Sequence, residues 1–328
     1  MLPICAIYHA RLGWVLLLAC LGLAAPTVFS AHPVPPPPPA RSEVEAVLAR
    51  AEPRPSPSPT NSSASLQKLR IVLLADKKDH GAEEHDYPLW QQRWAQLLTG
   101  SATSGTNQVN LFGPPIREGK TIPKVENVEV ISADGWPTES QFAAADVIVA
   151  YCYLPWTESR REQLTQYLHR GGGLVLIHSA TWTMPHADPE VAKLVGVGGF
   201  SLFRHGPVQL EITATNHAIC QGLPIRVPFY DETYWPPTPR IDLARVTVLA
   251  VSREGDGAQP QATSPQPLFW ICPTGRGRVF GCVLGHYTWT FDDPWFRVLL
   301  LRGIGWAARL PVSRLDPLVL CGTRVADP

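Results

Sequence analysis

The chain has 328 residues, 45% hydrophobic and 17% charged, with 28 basic and 28 acidic side chains. A formal net charge of zero excludes a polybasic nucleic-acid binder and an acidic solvating tail. Ten of the 34 prolines fall between Pro33 and Pro59, and the roughly 260 residues beyond that tract suffice for one large α/β domain.

Leu12 to Val28 carries no charge and follows Arg11, the pattern of an export signal over residues 1–30 with a cut after Ser30. Leu17-Leu18-Ala19-Cys20 also has the shape of a lipobox, and the apolar run is nearly long enough for an uncleaved anchor. Each reading makes the chain exported, to a periplasm, a cell envelope or the extracellular space, with membrane contact only through this segment. Residues 31–66 are rich in Pro, Ser and Ala and read as a disordered linker, with a short helical pattern at Glu43 to Arg50.

Arg70 to Ala75 is a continuous apolar run, as expected of a strand buried on both faces. Asp86 and Pro88 open a helix whose Trp90, Trp94, Leu97 and Leu98 fall on one face. The stretch 99–126 reads as a loop insertion. Val128 to Ile131 is a second strand, and Thr138 with Gln141 forms a capping box for a short helix. Asp146 to Tyr151 is a third strand, Glu158 to His169 a helix ended by Gly171-Gly172-Gly173, and Leu174 to Ile177 a fourth strand. The glycine triplet ends a helix and opens a strand, so it is a turn and not a phosphate cradle. After Gln209 the strands follow without helices, at Gln209–Ile212, Thr247–Val251, Leu268–Ile271 and Arg278–Val283. An apolar helix capped by Asp293 runs through Trp306 and must be buried. The pattern predicts a three-layer α/β sandwich over 67–312, with a mostly parallel sheet, an antiparallel C-terminal extension and a tail at 313–328.

Ligands of open parallel sheets bind at the carboxyl ends of the strands. There the sequence places His80 and His85, then Trp156, then His178 and Trp182. Later segments add His205, then Asp231, Glu232 and Tyr234, then His286 and Trp289, all read as loop residues. Titratable groups mixed with flat rings suit a polar substrate such as a sugar. His178, Asp231 and Glu232 are the catalytic candidates; His80, His85, Trp156, Trp182, His205, Tyr234, His286 and Trp289 are candidates for binding substrate. His178, His205, Glu232 and His286 are also candidate ligands of a divalent metal such as zinc. His80 and His85 are five apart, not the helical i, i+4 pair, so a metal there needs partners from elsewhere. Trp90, Trp94, Trp295 and Trp306 read as core. The cysteines beyond the leader, Cys152, Cys220, Cys272, Cys282 and Cys321, are widely spaced and form no disulfide or zinc framework.

Taken jointly, several segments resemble the ThuA-like family, named for trehalose utilisation. They are KKDHGAEEHDYPLWQQRW (77–94), RGGGLVLIHSAT (170–181), FRHGPVQLEI (203–212), NHAICQGLP (216–224), DETYW (231–235) and GRGRVFGCVLGHYTWTFDDPWFRVLLLRGIGWAA (275–308). The resemblance implies a flavodoxin-like fold similar to class I glutamine amidotransferases and a role in carbohydrate metabolism on disaccharides or oxidised (keto) glycosides. It carries over to His178, His205, Asp231, Glu232 and His286. Where such amidotransferases hold a nucleophilic cysteine this chain has His178, which cannot replace a thiolate attacking an amide, so glutamine hydrolysis is not expected. Two readings follow: an exported enzyme acting on a sugar derivative by His/carboxylate acid–base or metal-assisted chemistry, or a non-catalytic carbohydrate-binding protein.

Overall fold

A computed structural model describes residues 33–50, 67–100, 108–113, 123–184, 188–256 and 259–326. The predicted leader, and 51–66 of the predicted linker, lie outside the described residues. In chain order the elements are α1 (Arg41–Ala49), β1 (Leu69–Ala75), α2 (Tyr87–Thr99), β2 (Val128–Asp134), α3 (Glu139–Ala144) and β3 (Val147–Ala150). Then come β4 (Leu154–Pro155), α4 (Glu158–His169), β5 (Gly173–Ile177), β6 (Thr183–Met184), α5 (Pro189–Val195) and β7 (Leu202–Ile212). The last are β8 (Arg226–Trp235), β9 (Thr247–Asp256), β10 (Gln259–Thr274), β11 (Gly277–Cys282) and α6 (Pro294–Ala307).

Nine strands form one sheet in the order β2-β1-β3-β5-β11-β10-β9-β7-β8, and β4 pairs with β6 apart from it. The first five are mutually parallel. The remaining four continue antiparallel. This is the mixed α/β sheet expected from the alternation of apolar runs and amphipathic helices. β3 and β5 are buried along their whole length, because helices cover both faces. On one face Trp94 of α2 lies under the Arg297 guanidinium of α6, 5.9 Å from ring centre to Cζ. On the other, Phe142 of α3 packs on Tyr167 of α4, with centroids 5.5 Å apart. β2 is one edge strand, only half buried, and Lys68 and Arg70 pair with its Glu129.

Local signals set the helix ends. Asp86 accepts from the Leu89 N–H at the start of α2, and Gly100 closes it in the left-handed region at φ 67°. Thr138 and Gln141 form both halves of the capping box of α3. Thr138→Ala removes one half and should cost about 1 kcal/mol, read as a lower urea midpoint at unchanged slope.

Three expectations are corrected. Residues 33–50 are not linker: Val44 and Val47 of α1 are buried, and Ala40 bridges to Ala326. Arg41 N–H donates to Ala326 O at 3.0 Å and Ala326 N–H to Pro39 O at 2.8 Å. A proline run has no N–H groups to orphan, so a few anchors suffice to lay it on a surface. Nor are residues 313–326 a free tail, since Leu315, Leu318 and Val319 are buried. Finally, Arg204-His205 and Asp231 to Trp235 are strand, not loop; His205 lies opposite Glu232 in the β7–β8 ladder. β8 alternates only in its first half, then is buried on both faces with acidic residues inside, which hides its period. No helix among the described residues is long and apolar enough to cross a membrane.

Candidate functional site

The carboxyl ends of β1, β5 and β11 deliver three histidines to one point, and β8 supplies a carboxylate. β5 ends at Ile177, and the next residue, His178, turns sharply at φ 51° into a 3-10 helix. A left-handed histidine is uncommon and costs free energy that the surroundings must offset. Thr181 Oγ1 donates to His178 O at 2.7 Å and braces the turn. Beyond β11, Gly285 takes φ 130°, a value only glycine adopts without strain, and swings the chain into His286. The buried Asp231 carboxylate holds this bend: it accepts from Gly285 N–H at 3.0 Å, His286 N–H at 2.9 Å and Thr290 Oγ1 at 2.6 Å. The loop after β1 is stitched to the same segment by His85 N–H on His286 O (3.0 Å) and Thr288 N–H on Glu83 O (2.8 Å).

The imidazole tautomers follow from their partners. His178 Nδ1 lies 2.6 Å from Val283 O, which can only accept, so Nδ1 carries the proton and Nε2 a lone pair. His85 Nδ1 lies 2.8 Å from Tyr87 Oη and 3.0 Å from Asp79 Oδ1; because Tyr87 Oη places its own proton on Asp79 Oδ2 at 3.2 Å, Nδ1 donates to this pair. That leaves His85 Nε2 with a lone pair facing His178 Nε2 at 2.9 Å. Glu232 Oε2 is 3.2 Å from His178 Nε2 and 3.0 Å from His286 Nδ1. Tyr234 Oη donates to Glu232 Oε2 at 3.2 Å and sits 2.9 Å from His178 Nε2. Neither ring nitrogen of His286 meets a partner at hydrogen-bonding geometry, although the ring is 1% exposed.

Charges in this cluster oppose burial. Burial disfavours the Glu232 anion, but the adjoining imidazoles of His178 and His286 hold its carboxyl below the usual range. Burial lowers His286 too, yet Glu232, Asp231 and Glu84 raise it overall. His85 is pushed down by burial, then by His178 and His286. His205, at the rim, is lowered chiefly by burial.

Above the cluster opens a cavity of about 360 Å³, lined by His80, Glu84, Tyr153, Trp182, Phe203, His205, Glu232, Tyr234 and His286. His85 and His178 are fully buried, and their rings contact His286. Thus eight of the sequence candidates converge: His80, His85, His178, Trp182, His205, Glu232, Tyr234 and His286. Three lie outside this group. Asp231 holds the 285–286 bend, Trp289 donates to Tyr230 O and stacks on Tyr287, and Trp156 packs on Trp136 in an apolar seam. His85, rather than the rim residue His205, joins the compact group with His178, Glu232 and His286, whose ligand atoms lie within 4.8 Å of one another. Sequence reading missed the roles of Asp79 and Phe203; the one signal for Asp79 is its place in the dense KKDH…EEH run. Cys152 is buried, and desolvation pushes its thiol up, so no activated thiolate stands here. Trp90, Trp94 and Trp295 are core, while Trp306 is only partly buried, under Arg278.

These features define an α/β protein whose candidate site lies at the carboxyl ends of its parallel strands. The profile of the ThuA family, described as trehalose utilisation, matches residues 80–307, and the chain belongs to that family. Among solved structures, a ThuA-like protein from Bacteroides uniformis shares 18% identity at a TM-score of 0.53, covering 78% of this chain and 99% of that one. A second, from Parabacteroides merdae, also shares 18% identity at a TM-score of 0.51, covering 74% and 90%. These likenesses extend to the fold. No protein of curated function matches the chain.

Proposed function

We propose that the protein is an enzyme acting on a small carbohydrate, a disaccharide or its oxidised keto derivative, at the cavity above Glu232 and His286. The observation that carries this reading is convergence: a buried carboxylate between two imidazoles forms one wall of a cavity whose other walls are the rings of Tyr153, Trp182 and Phe203. Flat rings suit the apolar faces of a sugar, and the His/Glu set supplies acceptors and donors for moving a proton. Stacking alone would not require three histidines brought to one carboxylate. The family's link to trehalose supports the substrate class. Export through the N-terminal segment belongs to the same proposal and rests on the uncharged run Leu12 to Val28.

The test is to incubate the purified protein with trehalose, other glucose disaccharides and their keto derivatives, and to follow products by chromatography. Product from the native chain, with Glu232→Gln slower by about 10²–10⁴-fold, is the expected result. Saturable sugar binding without product under any condition would instead make this a carbohydrate-binding protein.

A further inference from the structure

We propose that His85, His178, Glu232 and His286 bind one divalent transition-metal ion, with zinc the best match to their ligand types. The four residues come from the segments after β1, β5 and β11 and from within β8, are all buried, and place their ligand atoms within 4.8 Å of one another. Three imidazoles and a carboxylate form a donor set that zinc and its neighbours favour.

Two independent observations point to a cation rather than to an internal hydrogen-bond network. His85 Nε2 and His178 Nε2 are 2.9 Å apart. Each ring's Nδ1 already donates, His85 to the Tyr87–Asp79 pair, whose tyrosine proton lies on Asp79, and His178 to the Val283 carbonyl. Two lone pairs facing each other at that distance repel unless something positive lies between them or beside them. Moreover, His286 is 1% exposed, and its nitrogens lie 3.0 Å from Glu232 and 3.6 Å from Glu84 without hydrogen-bonding geometry to either, a costly state for an imidazole that serves only packing. The outer partners are those that metal-bound histidines use: a carboxylate behind His85 and a backbone carbonyl behind His178, each fixing the tautomer that leaves Nε2 free. Glu232 and His286 also line the cavity, so the ion would border the space where a substrate sits. The inference goes beyond the carbohydrate reading and stands whatever occupies that space.

A second group, Asp79, His80 and His85, shares one residue with the first, but His80 and Asp79 are exposed. It serves as the internal control. The purified full-length chain, stripped with chelator and dialysed against zinc, is measured by elemental analysis and calorimetry. About one tightly held ion per chain is expected, lost in His286→Ala and in Glu232→Ala and retained in His80→Ala. Asp79→Asn should weaken binding by about 10–100-fold. X-ray absorption of the zinc-loaded native chain needs no variant and should show only nitrogen and oxygen ligands, at about 2.0–2.1 Å, with imidazole scattering. Sulfur in that shell, binding that survives His286→Ala, or binding that depends on His80 instead would overturn the proposal. So would a chain that takes up no zinc, manganese, iron or nickel, which would leave a proton shared by His85 and His178. None of these readouts involves a sugar, so their outcome is separate from that of the turnover experiment.

Discussion

Asp292→Ala is expected to cost about 3–5 kcal/mol of stability, enough to leave a typical domain barely folded. Arg297 of α6 is fully buried and donates through Nη2 to Asp292 Oδ1 at 3.0 Å. Its remaining donors reach Phe291 O at 2.9 and 3.1 Å and Cys321 O. Asp292 meanwhile accepts from Leu111 N–H at 2.7 Å and Phe112 N–H at 2.6 Å. Burial works against the carboxylate charge, and the guanidinium with these two donors counters it. Alanine strands a guanidinium in the core and takes the acceptor from two backbone donors. The check is the shift of the denaturant midpoint against the native chain. The pair Asp292→Leu with Arg297→Met should recover much of the loss, because it removes both charges together. A double variant as unstable as Asp292→Ala would show that packing, not the stranded charge, sets the cost.

Asp231→Ala should be at least as damaging, and it should also disable the site whose cavity it does not line. The carboxylate gathers Gly285 N–H, His286 N–H and Thr290 Oγ1, all without access to water. At about 1–3 kcal/mol for each of the three donors left unsatisfied, the loss is on the order of 3–9 kcal/mol. Asp231→Asn keeps one acceptor oxygen but turns an amide toward another donor, so an intermediate cost is expected. The bend at Gly285 aims His286, so both variants should lose catalytic rate beyond what partial unfolding explains. Rates measured well below the melting temperature, with circular dichroism confirming the folded fraction, separate the two effects. A folded Asp231→Asn chain with native turnover would confine Asp231 to stability.

The parallel half of the fold was legible because its strands carry a uniform signal: buried on both faces, they read as unbroken apolar runs between capped helices. The cap residues Asp86, Thr138 and Asp293 all act as their spacing implies. The antiparallel half was less legible where function intrudes. β8 places Asp231 and Glu232 inside, which a pattern of apolar alternation cannot register. Among site residues, His178 could be placed because a strand visibly ends at it. The departure of Trp156 and Trp289 could not, since an indole in a loop stacks equally well on a sugar or on a neighbouring ring. Asp79 escaped notice because its role is defined entirely by His85, six positions away. The packing of α1 was hidden by composition: prolines signal what a chain cannot form, not where it lies.

The sheet order has a bearing on how the site comes into being. β11 fills the slot between β5 and β10, parallel to one and antiparallel to the other. That slot exists only after the chain has made its excursion through β7, β8, β9 and β10 and returned. Gly285 and His286 follow directly from β11, so the cluster closes at the last insertion step and not during growth of the first half. Contacts so distant along the chain make folding slow. A nascent or truncated chain ending before β11 would present His85 and His178 on separate loops, with no centre to join them.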